Sequence, residues 1–252
     1  MKFRDALLAL SALAASSNGI AAPFAGKPTI VLVHGAFADA LGWQRLIPIL
    51  LRDGYNVTAV EIPLQSLDGD VVTTKRLLDS LPGPIVLVGH SFGGAVITGA
   101  AAGESKVKAL VYLAAFGPDS GEAVGAFGDK YPADLGKALK PDSAGFLWVD
   151  RAQFHQDFAA DVPAADAAVM AATQKPLNSS VFTASVPVAA WKTLPSWYVV
   201  SKQDHAINPD LERFYAKRMG AHTTEVDASH VAFITHPQEI AKVIEEAAAS
   251  AK

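Results

Sequence analysis

Short unbroken apolar runs alternate along the chain with longer stretches in which apolar residues recur every three or four positions. Thr29-Ile30-Val31-Leu32-Val33, Ile85-Val86-Leu87-Val88 and Val107 to Ala114 are runs of the first kind. They are rich in β-branched residues and predict strands buried on both faces. Tyr55 to Glu61, Ser196 to Ser201 and Thr223 to Asp227 predict three further strands. Helical spacing fills the intervals: Trp43 to Arg52, closed by Asp53-Gly54, then Asp68 to Leu81, Asp210 to Met219 and Pro237 to Ala249. Strands alternating with helices predict an α/β fold with a mostly parallel, doubly wound sheet covered on both faces.

The rhythm breaks between Gly117 and Leu194. This stretch holds no convincing buried strand, several prolines, and aromatics including Phe127, Tyr131, Trp148, Phe158 and Phe182. A long insertion in a compact domain is usually functional, so a mostly helical cap is expected over about residues 117–194. The rest of 26–252 reads as one domain. Residues 1–25 follow another pattern. Met1-Lys2-Phe3-Arg4 is basic, Ala6 to Ala15 is apolar, and small residues follow at Ala21, Ala22 and Ala25. That order predicts an export signal, too short for a stable bilayer anchor, and a periplasmic or secreted protein. Asp5 and Pro23 depart from the pattern, and a cytoplasmic protein is the alternative.

Composition narrows the chemistry. Of 252 residues, 50% are hydrophobic and 18% charged, enough for one large core. The net charge of −4 and the absence of a Lys/Arg cluster give no nucleic-acid footprint. There is no cysteine, which removes thiol catalysis, disulfides and Cys-ligated metals together.

The sharpest local feature is Gly89-His90-Ser91-Phe92-Gly93, set between the apolar run ending at Val88 and the small-residue stretch Ala95 to Ala102. A G-x-S-x-G at a strand-to-helix junction holds its serine on a strained turn, with the hydroxyl exposed above the sheet. Ser91 is therefore a candidate nucleophile, and it needs a base and an orienting acid. Of seven histidines, His230 lies in Asp227-Ala228-Ser229-His230-Val231, directly after the last predicted strand. That is where an α/β sheet places its chemistry. His34 reads as a loop-shaping residue, His90 as the variable residue of the turn, pointing away from the nucleophile's side, and His205 as a rim residue. Two acids follow strands, Asp204 and Asp119; Asp204, followed by Ile207-Asn208-Pro209 and a helix, fits the orienting role better.

With these pieces placed, the chain resembles the α/β-hydrolase superfamily over about residues 27–250, and within it the serine esterase branch of plant methylesterases, hydroxynitrile lyases and bacterial carboxylesterases. The matching residues are Val31-Leu32-Val33-His34-Gly35-Ala36, Trp43 with Pro48 and Leu50, Gly89 to Gly94, Asp204 with Pro209, and Ser229-His230. The resemblance implies Ser91, Asp204 and His230 as a catalytic triad and Phe92 N–H as one oxyanion donor. The loop after the first strand supplies the second donor, with Ala36 N–H preferred and Phe37 next. Hydroxynitrile lyases carry a threonine where Gly35 stands and a lysine where Val231 stands, so ester hydrolysis is expected here. No metal or organic cofactor is implied. The aromatic supply suggests an apolar pocket formed by Phe37, Phe116, Trp148, Val231 and Phe233, suited to small or medium uncharged esters. A C–C bond hydrolase or perhydrolase would keep the same triad, and a small-molecule-binding protein on this scaffold is the other alternative. Oligomeric state is not predicted.

Overall fold

The computed structural model describes residues 26–251; the predicted export segment, residues 1–25, lies outside them. Six strands form the central sheet: β1 (Thr29–Val33), β2 (Val57–Val60), β3 (Ile85–His90), β4 (Val107–Leu113), and, after the insertion, β8 (Ser196–Ser201) and β9 (His222–Val226). Their order is β2-β1-β3-β4-β8-β9 and every pairing is parallel. β1, β3 and β8 are buried along their whole length, which explains why their sequences run apolar instead of alternating.

Helices α1 (Ile47–Arg52), α2 (Leu67–Ser80), α3 (Phe92–Ala100), α7 (Pro209–Met219) and α9 (Pro237–Ser250) connect and flank these strands. The chain steps one way from β1 to β2 and the other way from β3 onward. Right-handed crossovers therefore put α1 on the face shared with α9, and α2, α3 and α7 on the opposite face. α3 is buried at every position and reads as apolar all round for that reason. The expected helix at 43–52 is divided. A 3₁₀ turn spans Ala40–Arg45, capped by Asp39, whose side chain accepts from Leu41 N–H at 2.8 Å. α1 starts only at Ile47, with Pro48 in its first turn, where a missing N–H costs nothing.

The insertion between β4 and β8 adds an element that the sequence did not announce. It carries the helices α4 (Leu135–Ala138), α5 (Arg151–Phe158) and α6 (Ala164–Thr173), but also a three-stranded antiparallel sheet of β5 (Leu139–Pro141), β6 (Phe146–Val149) and β7 (Leu177–Asn178). These strands are two to four residues long and mostly exposed or half-buried, so none leaves an apolar run in the sequence. Arg218 of α7 ties the insertion to the sheet. Its guanidinium donates to both Glu122 carboxylate oxygens at 2.6 and 2.9 Å and to Gly117 O at 2.6 Å. The same group lies over the rings of Phe127, Trp191, Phe214 and Tyr215. Among the described residues, no helix is long and apolar enough to cross a membrane.

Candidate active site

β1, β3, β8 and β9 all end at the same edge of the sheet, and the loops beyond them hold the candidate residues. Ser91 follows β3 at φ 53°, ψ −124°, a conformation that non-glycine residues rarely adopt. Its N–H donates to Leu113 O at 3.1 Å, and its carbonyl accepts from Gly94 and Phe116 N–H at 3.0 and 3.1 Å. The turn is possible because its surroundings lack side chains. A Cβ on Gly93 would lie 2.5 Å from Val33 O, and one on Gly94 2.4 Å from Phe116 O. Gly35, in the loop after β1, is equally constrained: a Cβ there would sit 2.6 Å from the Ser91 Cβ.

His230 follows β9 in the loop before the short helix α8 (Ala232–Thr235), and Asp204 follows β8. The structure brings them together. His230 Nδ1 lies 2.6 Å from Asp204 Oδ2, with both residues buried. Asp204 Oδ1 also accepts from Ala206 and Ile207 N–H at 2.6 and 2.9 Å. With Nδ1–H committed to the carboxylate, the Nε2 lone pair faces away from it. That nitrogen is buried and has no hydrogen-bond partner among the described residues. Asp119, the other acid weighed for this place, lies elsewhere. It pairs with Lys192 at 2.5 Å near the surface and is held below the usual carboxylate range by that contact and by Ser120 N–H, against the effect of its partial burial.

The His230 imidazole is gripped on two sides. Phe158 meets it edge-on at 5.0 Å, and the His90 ring lies 4.5 Å away. His90 Nε2 is 3.0 Å from His230 O, and burial, reinforced by His230, holds the His90 pKa well below the ordinary histidine value. A neutral His90 thus donates to the backbone of the histidine loop. His90 therefore supports His230 from behind, a role that its place in the turn did not announce. From the insertion, Asp161 accepts from Ser229 N–H at 3.2 Å, from the Ser229 hydroxyl, and from Thr235 Oγ1 at 2.8 Å. Neither contact has a local sequence signal, since both partners are remote in the chain.

The loop after β1 is shaped by His34, as its sequence position suggests. His34 Nδ1 lies 2.8 Å from Gly35 O, and Ile62 N–H donates to Nε2 at 3.2 Å. Glu61 sits beside it. Its carboxylate lies 3.4 Å from His34 Nε2 and 2.5 Å from the Lys175 ammonium, which pairs with it.

Ser91 opens onto a cavity of about 440 Å³ between the sheet and the insertion. Ala36, Phe37, Phe92 and Phe116 line it on the sheet side, together with Ser91. The insertion contributes Phe127, Tyr131, Leu139, Phe158 and Phe182, aromatics and aliphatics that as a sequence could equally have been core. Three expected pocket residues are not in its wall. Trp148 stands on β6 and is exposed to solvent. Phe233 points behind the histidine, packing on Trp43 at 4.4 Å and His90 at 4.8 Å. Val231 is buried in the core next to it. Nearness in sequence to His230 misplaced both, because the loop turns their side chains away from the cavity. Lys137 is the one charged residue in the described lining; it is mostly exposed and pairs with Asp134 at 2.9 Å. Among the described residues, no cluster of three or more His, Asp or Glu could hold a metal.

Comparison with known proteins agrees with this architecture. The profile of the alpha/beta hydrolase family matches residues 30–243. Methylesterase 8 of Arabidopsis thaliana is 28% identical over 215 residues, covering 75% of this chain and 76% of that protein. An alpha-hydroxynitrile lyase of the same plant is 37% identical over 127 residues, covering 44% of this chain and 49% of its own. The match thus spans about half the length of that lyase. Among solved structures, tomato methylketone synthase I, complexed with 2-tridecanone, superimposes with a TM-score of 0.78 at 20% identity, covering 90% of this chain and 99% of that one.

Proposed function

The chain belongs to the alpha/beta hydrolase family, and from that premise we propose that it is a serine esterase cleaving carboxylic esters of small to medium, largely uncharged substrates. The observations that carry this reading are the buried His230–Asp204 pair, with its bare Nε2, and a strained serine on the wall of an apolar cavity. In this mechanism Ser91 Oγ attacks the ester carbonyl while His230 Nε2 takes its proton. Asp204 steadies the imidazolium, and the N–H groups of Ala36 and Phe92 receive the oxyanion, each donor contributing roughly 3 kcal/mol. His230 then protonates the leaving alcohol. A water, deprotonated by the same nitrogen, attacks the acyl-enzyme and frees Ser91.

Two features support esters over cyanohydrins despite the lyase relative. Gly35 has no room for a side chain against Ser91, and Val231 is buried and apolar, so no cation stands beside His230 at that position. The apolar lining supports uncharged acyl groups, because a buried charge without a partner is costly. The test is hydrolysis of p-nitrophenyl esters from acetate to octanoate. Wild type is expected to turn over part of the series, and Ser91→Ala to lose about 10⁴-fold or more in kcat. Hydrolysis that survives in Ser91→Ala, or none by wild type on any ester of the series, would count against the reading.

A further inference from the structure

Glu212 is a buried acid that the mechanism above does not use. It lies on the inner face of α7, with no exposed surface. Its Oε2 accepts from Ser201 N–H at 3.0 Å, at the end of β8. The Asp204 carboxyl, three residues beyond Ser201, lies within reach of the Glu212 carboxyl and raises its pKa both by charge and by contact. Two carboxylates are both acceptors, so this contact is a hydrogen bond only if one of them carries a proton. Two adjacent carboxyl groups shut off from water do not both ionise.

The donors around the pair decide which one holds the proton. Asp204 accepts three N–H groups, from Ala206, Ile207 and His230. Glu212 accepts only one, and its Oε1 is buried with no N–H or O–H donor among the described residues. The negative charge is best solvated on Asp204, and Oε1 is the atom left to carry the proton. The one cation among the described residues that acts on Glu212 offsets this only in part. Arg213, next on α7, is turned outward, with Nη1 on Asp210 and Nε and Nη2 on Glu225. From β8, Tyr198 faces the pair with a neutral hydroxyl that donates to Ala115 O. Burial first, and the Asp204 charge second, push the Glu212 pKa well above the ordinary glutamate range.

We propose that Glu212 is a positioning residue: it stays a neutral carboxylic acid and donates its proton to Asp204, anchored by Ser201, so holding that carboxylate on His230. This rests on the reading of Asp204 as the orienting acid. It also gives the site an alkaline limit, because ionising Glu212 would set a second negative charge against Asp204.

Two variants separate the roles. Glu212→Gln keeps a donor for Asp204 and an acceptor for Ser201 N–H but cannot titrate. Glu212→Met keeps bulk and removes both. Glu212→Gln is expected to stay within about threefold of wild type in kcat near neutral pH and to lose the alkaline fall in activity. Glu212→Met is expected to lose about 10- to 100-fold in kcat with KM nearly unchanged, as for a small misplacement of a catalytic group. Melting temperature is the readout independent of activity. An acid whose pKa is raised by folding stabilises fully below its unfolded pKa, and that contribution is lost as pH rises toward the folded value. Wild type is therefore expected to melt progressively lower than Glu212→Gln as pH rises from about 5 to about 9. Parallel melting profiles, or a Glu212→Gln variant as crippled as Glu212→Met, would overturn the proposal. Ser91-independent hydrolysis would overturn the esterase reading instead, leaving the melting comparison to judge the proton on Glu212.

Discussion

Ser91 is held in a backbone conformation that costs on the order of 1–3 kcal/mol, and its neighbours enforce it. Leu113 O, Gly94 N–H and Phe116 N–H fix the turn on three sides, and Gly35 leaves room for its Cβ. Gly35→Ala would push a methyl into that space and is expected to depress kcat sharply while leaving the fold, as read by circular dichroism, intact. At the same scale the two acids part company. Asp204→Asn is expected to lower kcat about 10⁴-fold, as loss of an orienting carboxylate does. Asp119→Asn is expected to leave kcat unchanged, because its partner is the surface Lys192. Steady-state kinetics on the two variants checks this, and the reverse pattern would refute the assignment. Ser91 was legible because its signal is local: glycines, a preceding strand, a following helix. Asp204 and Asp119 both follow strands; the Ile207-Asn208-Pro209 turn and helix beyond Asp204 favoured it in the sequence, and its contact with His230 separates the two in the structure. Glu212 left a faint trace, a glutamate sharing the buried helical face with Tyr215 and Ala216 at i+3 and i+4.

Each element at the site is fastened by a contact from another part of the chain. Asp161, in the insertion, holds the histidine loop through Ser229 and Thr235. Asp161→Ala removes these bonds at once. It is expected to cost about 1 to 2 kcal/mol of stability, because the acid is partly exposed. That corresponds to a melting temperature lower by roughly 2–8 °C in a calorimetric scan. A several-fold fall in kcat is expected with it, since His230 loses part of its support; an unchanged kcat would show that the loop is held without the insertion. The sheet strands were legible as elements because burial on both faces makes them continuous apolar runs. The small sheet of β5, β6 and β7 was not, because its strands are too short and too exposed to show a period. Trp148 was misplaced for the same reason: without the strand there was no way to see which side of it faced water.

Over the whole molecule, the chain reverses its direction of travel across the sheet between β1 and β3, and Ser91 and the loop after β1 meet at that reversal. An open parallel sheet leaves a crevice at such a point, at the carboxyl ends of its strands. The insertion roofs that crevice with aromatic residues and makes it an apolar chamber. The alternation of strands and helices foretold the doubly wound sheet. It did not foretell which aromatics of the insertion face the chamber and which form its own core, since both kinds are apolar and only the packing distinguishes them. The central claim is that this architecture activates one serine. The most direct measurement is labelling of the folded protein with a fluorophosphonate, followed by peptide mass mapping. The account predicts a single adduct on the peptide carrying Ser91, absent from Ser91→Ala and formed far more slowly in His230→Ala. No adduct, or an adduct on another serine with Ser91 unmodified, would contradict it.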